Sequence, residues 1–420
     1  MARILNEMRI LLLTQWFDPE PAFKGLAFAR ELSARGHEVE VLTGYPNYPG
    51  GALYPGYRIH SFDREMMDGV RVVRVPLYPS HDRSRVGRAV NYLSFAASAS
   101  AFGRILTRAP DVIYAYHPPA TIGLPAAVIG RLCRAPVVLD VQDLWPDTLT
   151  ATGMVNGRRA LWLVGRLCSW NYRRAARIVV LSPGFRRALE GRLVPTGKLR
   201  VIYNWCDERG AASASPAAAL ASRFGFEGRF NIVFAGTMGF AQALDAVLGA
   251  AERCRERRPD IQFVFVGGGV DKDRLERLAV EKRLPNVRFL PRQSSSEIGT
   301  TLALADGLLV HLRDHPLFRI TIPSKTQAYL FAGRPIIMAV RGDAADLVKA
   351  AGAGVLANPE DPESIADAAL SLAAMPAAQH EALGRNGAEY YRRHLSIREG
   401  VSRFEEVFEE VVANSRRGVA

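Results

Sequence analysis

Apolar runs of four to seven residues recur along the chain, and helical patterns separate them. In the first half such runs fall at 8–14, 38–43, 70–75, 111–116, 136–141, 178–182 and 199–203. Helical periodicity lies between them at 25–35, 85–107, 161–174 and 183–190, with a further helix after Thr121. Continuous Val/Ile/Leu runs joined by helices predict a parallel sheet covered on both faces. The stretch 210–222 is rich in Ala and Ser and reads as a linker or surface excursion. Alternation then restarts, with strands predicted at 230–235, 261–266, 287–290, 307–311 and 335–340. Helices are predicted at 241–257, 271–283, 324–332 and 344–350, and three follow one another at 362–375, 377–394 and 397–415. The pattern therefore predicts an α/β chain of two doubly wound parallel sheets in tandem, with no solenoid repeat. Ligands of such sheets sit at the carboxyl ends of the strands, here in a cleft between the domains.

Length agrees, since 420 residues exceed one ordinary core. Charge is uneven. Residues 1–204 carry 27 Lys+Arg against 15 Asp+Glu, and residues 205–420 carry 27 against 27. The excess of +12 thus lies wholly in the first half, where it would attract a polyanion such as a phosphorylated substrate or an anionic lipid surface. No aromatic-interleaved basic module points to nucleic acid. Cys133, Cys168, Cys206 and Cys254 lie far apart without ligand spacing, so neither a zinc site nor a disulfide framework is expected, and a reducing cytoplasm fits. The longest weakly polar stretch, 89–103, is fenced by Arg88 and Arg104 and is too short to span a bilayer.

Candidate chemistry gathers at strand ends. Gly236, Gly239 and Gln242 follow strand 230–235 at a turn where backbone could approach a phosphate and a helix N-terminus could supply N–H groups. The run 267–269 repeats the arrangement and reads as a tight turn. Pro323 forces a helix to begin at Ser324 or Lys325, which brings a hydroxyl, free N–H groups and an ammonium to one helix start. Arg313 and Arg319 add positive charge in the preceding loop. His117 ends strand 111–116, where it is either structural or reactive. Asp143 and Asp147 follow strand 136–141 and could accept from hydroxyls or cap the next helix. Lys24 and Gly25, in the loop after the first strand, resemble a phosphate- or sugar-approach turn and are expected to form an acceptor or phosphate loop. Asp271 and Asp273 open a helix, where acids offset the dipole, and are not expected to bind metal.

Together these landmarks resemble family-four retaining glycosyltransferases of the GT-B fold, and most closely the bacterial O-antigen and exopolysaccharide enzymes of the N-acetylfucosamine-transferase type. The matching stretches are 8–43, including the Arg35-Gly-His-Glu-Val run, then 141–147, 201–207, 234–245, 286–291 and 317–330. The resemblance implies an acceptor-binding domain (1–204), a nucleotide-sugar-binding domain (205–395) and a C-terminal helix (396–420) that crosses back to the first, the two Rossmann-like domains facing each other across a cleft. It implies a retaining, metal-independent hexosyltransferase with no cofactor. The donor would be a nucleotide diphosphate sugar, of an N-acetylated or deoxy hexose. The acceptor would be a polyprenyl-diphosphate-linked glycan, met by a cytoplasmic enzyme peripheral to an anionic membrane.

By position, His117 and Asp143 would be catalytic, with His117 near the donor sugar and Asp143 facing the acceptor. Gly236, Gly239, Gln242, Arg319, Ser324, Lys325 and Gln327 would hold the donor. Two departures stand out. Thr237 and Gln242 occupy places where many relatives have Arg and Lys. Ile320 and Ala328 replace a pair of Glu that bind sugar and ribose. The alternatives are a nucleotide-sugar-binding pseudo-glycosyltransferase working with a partner, or a nucleotide-sugar epimerase or hydrolase on the same fold.

Overall fold

The computed structural model describes residues 7–80, 85–151, 154, 155, 157–208 and 217–418. The chain divides into two units, Met1–Tyr203 with Gly400–Ala420, and Asn204–Glu399.

Unit 1 runs β1 (Arg9–Leu13), α1 (Leu26–Ala34), β2 (Glu38–Gly44), β3 (Asp63–Met67), β4 (Val70–Val75), α2 (Arg85–Leu106), β5 (Val112–His117), α3 (Gly123–Cys133), β6 (Val137–Val141), α4 (Asp147–Ala151), α5 (Arg158–Arg174), β7 (Arg177–Val180), α6 (Pro183–Gly191) and β8 (Leu199–Val201). Its sheet has the order β3-β4-β2-β1-β5-β6-β7-β8. All neighbours are parallel except β3 and β4. The inner strands are apolar through their length because helices cover both faces.

The chain moves from β1 to β2 in one direction across the sheet and from β4 through β7 in the other. Right-handed crossovers then place α1 on one face and α2, α3 and α5 on the opposite face.

Unit 2 runs α7 (Ala217–Phe224), β9 (Phe230–Thr237), α8 (Asp245–Arg257), β10 (Ile261–Gly268), α9 (Lys272–Glu281), β11 (Val287–Leu290), α10 (Ser295–Leu304), β12 (Gly307–His311), α11 (Pro316–Arg319), α12 (Ser324–Ala332), β13 (Ile336–Ala339), α13 (Asp343–Ala351), β14 (Gly354–Leu356), α14 (Pro362–Ala373) and α15 (Ala377–His394). Its sheet is wholly parallel, in the order β11-β10-β9-β12-β13-β14. The core beneath α8 and α14 includes Phe234, Phe263, Leu248, Ile337 and Ile365.

The last helix, α16 (Ile397–Arg417), lies against unit 1 from Gly400 onward. Phe404 packs its ring 5.1 Å from Phe28 of α1 and 5.7 Å from Tyr114 of β5. Glu405 accepts from Arg35 at 2.5 Å and lies 3.0 Å from His37 Nε2. Glu410 receives Arg177 and Arg200. The Arg35–Val39 run of the sequence thus marks where this helix docks.

Two local expectations change, and the helix start expected at Asp271 does not. The expected linker 210–222 includes helix α7 from Ala217, and residues 209–216 lie outside the described residues. The helix expected over 241–257 begins only at Asp245: Phe240–Gln242 form a 3-10 turn, and Ala243 at φ 44 breaks the path between them. Asp271 stands at the start of α9, its carboxylate bonded to Arg274.

Candidate functional site

A cavity of about 850 Å³ opens in unit 2 beside the C-terminal ends of β9 and β10. Gly236, Thr237, Gly267, Gly269, Lys325 and Tyr329 are among its lining residues. Two glycine turns meet here back to back. Gly236 and Gly267 pair in register and adopt φ of +139 and +136. A Cβ at Gly267 would stand 2.1 Å from the Gly236 carbonyl oxygen, so only glycine allows this approach. The run 267–269, expected only as a turn, therefore forms one wall of the cavity.

Lys325, in the first turn of α12, extends into this space. Its ammonium is buried, has no hydrogen-bond partner, and sits 3.4 Å from the centre of the Phe234 ring. Burial pushes its pKa down from 10.5 to about 7. The ring face offsets part of the lost hydration. A buried cation beside two glycine turns and a helix N-terminus is a site built for an anion. Gln293 Nε2 and Thr326 Oγ1 are also buried without partners. Gln293 lines the same cavity, with its carbonyl taken by Thr301. Nothing local in the sequence singled it out. The signal is its place just past a strand end, the same position that drew attention to Gly236.

The other residues expected around the donor do different work. Gln242 turns its side-chain oxygen back to accept from Gly239 N–H at 3.1 Å, so both shape the loop. The Gln242 carbonyl is held by His311 Nδ1 at 2.6 Å, and Arg313 donates to the Phe240 carbonyl. Ser324 is exposed and caps nothing, because Pro323 holds the N-cap position. Gln327 is buried, and its amide nitrogen donates to the Pro323 and Ser324 carbonyls, steadying the helix start. Arg319 is bonded to Asp314 at 2.7 Å and does not line the cavity. Ala328 does line it, without a carboxylate to offer.

In unit 1, adjacent strands β5 and β6 deliver His117 and Asp143. His117 pairs in register with Val141, and Asp143 lies two residues beyond. His117 is fully buried, with its ring 5.8 Å from that of Trp145. Its Nδ1 has no partner, and Nε2 lies 3.8 Å from Cys168 Sγ. Burial pushes its pKa down to about 4, so the imidazole is neutral at physiological pH. It can donate or accept a hydrogen bond but brings no charge. Asp143 is half-buried, and burial pushes its carboxyl up to about 6.

Aromatic rings surround this pair. Trp16 lies 4.9 Å from Tyr48 and 6.3 Å from Tyr92, and Tyr92 lies 6.1 Å from Trp145. Glu20 pins the Tyr48 loop by accepting from Asn47 and Tyr48 N–H at 2.7 Å each. Such a rim offers flat apolar faces beside a carboxylate.

Lys24 and Gly25 are not a phosphate approach. Lys24 is buried in an ion pair with Asp140 at 2.9 Å, and Tyr114 and Gln142 also donate to that carboxylate. Asp18 occupies the start of α1, accepting from Leu26 N–H at 2.7 Å, and its Oδ2 would stand 2.2 Å from a Cβ on Gly25. A carboxylate already fills the place an anion would take. Asp147 pairs with Arg192. Among the described residues, no group of three or more His, Cys, Asp and Glu is arranged to hold a metal ion.

Comparison with known proteins follows the same division. Residues 26–205 match the glycosyl transferase 4-like domain, and residues 229–375 match the glycosyl transferases group 1 domain. The chain is 29% identical over 312 residues to WcaI of Escherichia coli, named for colanic acid biosynthesis, covering 72% of this chain and 75% of that one. It is 24% identical over 325 residues to the glycosyltransferase WbjE of Pseudomonas aeruginosa, covering 74% and 80%. The structure of HepE from Anabaena in complex with UDP superimposes with a TM-score of 0.69 at 16% identity, covering 96% of this chain and all of that one. The chain is built from a glycosyl transferase 4-like domain followed by a glycosyl transferases group 1 domain, and it has the GT-B fold.

Proposed function

We propose that this glycosyltransferase moves a hexosyl residue, N-acetylated or deoxy, from a nucleotide diphosphate sugar to a lipid-linked glycan, with retention and without a metal, in exopolysaccharide or O-antigen synthesis. The observation that carries the reading is Lys325, a buried ammonium with no partner at the wall of a cavity large enough for a nucleotide. In this reading the diphosphate lies against Lys325, the Gly236 turn and the start of α12. The names of WcaI and the UDP bound to HepE support the pathway class and the donor class.

Unit 2 holds the donor. Asp207 and Gln293 line the Lys325 cavity and offer ribose and base a carboxylate and an amide donor, since Ala328 offers none. Lys325 and the helix start stabilise negative charge growing on the leaving diphosphate. Unit 1 holds the acceptor, with sugar rings stacked on the aromatic rim and a hydroxyl hydrogen-bonded to Asp143. Neutral His117 orients the donor sugar through a hydrogen bond. In a retaining transfer the departing phosphate takes the acceptor proton, so neither side chain acts as the base. The acceptor's polyprenyl chain stays in the membrane, and the enzyme works at its anionic cytoplasmic surface.

The test is incubation with a panel of nucleotide diphosphate sugars and a polyprenyl-diphosphate-linked sugar, with the new linkage read by NMR. An anomeric configuration equal to the donor's is expected, and an inverted one overturns retention. Tight nucleotide binding with no product from any pair would instead favour the pseudo-glycosyltransferase.

A further inference from the structure

Helices α2, α3 and α5 contain 22, 11 and 17 residues and carry three, one and five arginines, but no Asp or Glu at all. They lie on the same face of the unit 1 sheet, α2 packed against α3. Their outward sides are apolar as well as basic. On α2, Asn91, Phe95, Ala99 and Leu106 face the core, while Val86, Val90, Leu93 and Ile105 are exposed at 73%, 41%, 55% and 76%. At 1.5 Å per residue that outer stripe runs about 30 Å. Leu124, Val128 and Leu132 continue it on α3, and Trp162 and Leu163 on α5, both 60% exposed. A groove of about 270 Å³ separates α3 from α5, lined by Arg131 and Arg174.

Arg88, Arg104, Arg131, Arg158, Arg159, Arg166 and Arg173 make no ion pair among the described residues. Arg166 and Arg174 lie over the rings of Trp162 and Trp170. Of the other arginines in this part of the sequence, Arg108 is paired with Glu38, and Arg83 lies outside the described residues.

We propose that this three-helix face is the membrane-docking surface of the enzyme, lying flat on an anionic leaflet with lipid phosphates at its arginines and one phosphate in the α3–α5 groove. The proposal rests on the membrane-bound acceptor of the reading above and adds the surface that meets the bilayer. Three features select a lipid surface. An apolar stripe flanked by arginines and an exposed Trp suits the headgroup boundary, where apolar side chains enter and cations meet phosphate. A second copy of this face is a poor occupant, because two-fold pairing would set arginines against arginines with no acid to receive them. Nucleic acid would leave the apolar stripe without a partner. No helix among the described residues is long and apolar enough to cross a membrane, so the contact would be interfacial.

The experiment is flotation of the full-length protein with vesicles of phosphatidylcholine, alone or mixed with phosphatidylglycerol. The wild type is expected to float with the anionic vesicles and to lose binding at high salt. Each arginine near the surface contributes on the order of fivefold to partitioning. The triple variant Arg158→Ala/Arg159→Ala/Arg166→Ala should therefore bind about a hundredfold more weakly. Val90→Ser/Leu93→Ser should weaken binding to anionic vesicles without removing its salt dependence, and Arg277→Ala on α9 should leave it unchanged. Melting temperatures of all variants near wild type exclude misfolding.

A wild type that ignores anionic vesicles overturns the membrane reading itself. A wild type that floats, with both face variants floating equally well, overturns this face and leaves the membrane reading standing. A wild-type dimer by light scattering that the face variants turn to monomer assigns the face to a second copy and overturns the proposal.

Discussion

Replacing Lys325 by Met would keep the length of the side chain over the Phe234 ring and remove the charge. The wild-type ammonium titrates near 7 instead of 10.5, because burial penalises its charged form. At 1.36 kcal/mol per pKa unit, holding that charge in the empty cavity costs roughly 4–5 kcal/mol at pH 7. Part of this returns on replacement, so the ligand-free variant should melt higher than wild type. Binding should move the opposite way. Loss of a charge-assisted contact to a diphosphate removes about 1.5–3 kcal/mol, a tenfold to hundredfold weaker Kd. The pH dependence adds a second signature. A diphosphate favours protonated Lys325, so wild-type affinity should fall as pH rises above about 7 and binding should take up a proton there. The variant should lack both. Isothermal titration with UDP, GDP and ADP in buffers of different ionisation enthalpy measures all of this, beside a thermal melt. Unchanged affinity for every diphosphate, or a variant that melts lower when empty, would refute the assignment.

Three further outcomes are expected. His117→Ala should lower kcat by two or more decades, with His117→Gln retaining part of it; a large melting drop with modest kinetic loss would make the residue structural. Because His117 stays neutral to about 4 when folded and titrates near 6.5 when unfolded, it should lose the fold stability as pH falls through that window, and an equilibrium unfolding series on His117→Gln should show a flatter slope. Asp143, raised to about 6, should give kcat/KM an acid limb near that pH that vanishes in Asp143→Asn; an unchanged limb would move it to another group. Turnover should survive a chelator, and activity lost to EDTA and restored by Mg²⁺ or Mn²⁺ would contradict the metal-free reading.

The sequence made the inner strands and long helices visible, because each is a continuous apolar run or a clean 3.6 period. The edges were less visible. Strand β3, Asp-Arg-Glu-Met-Met, alternates at a half-exposed border and lacks the apolar signature of its neighbours. Strand β14 has three residues. In the candidate site, Lys325 and Gly236 could be picked out because Pro323 and a strand-end glycine are local signals. What Lys24 does could not, since its partner Asp140 is 116 positions away in sequence and adjacent only across the sheet. Arg319 and Gln242 differ for another reason: their partners Asp314 and Gly239 lie only five and three positions away, but which way each side chain turns is set by the folded loop and not by the residue types.

The docking of α16 on unit 1 sets an order of events during synthesis. Phe28 and Tyr114 emerge from the ribosome early, but the Phe404 ring that covers them is made only after all of Asn204–Glu399. At about 5–20 residues per second, that interval lasts on the order of ten to forty seconds. Throughout it, the first sheet carries an uncovered aromatic patch, His37 lacks Glu405, and Arg35 has Glu31 of α1 but not Glu405. The second unit has no such dependence on the chain's last residues and can close first. A nascent chain of this protein is therefore expected to hold its later-made half folded while its earlier-made half still waits for its final helix, and a chaperone that shields aromatic surface would find its substrate in that waiting half.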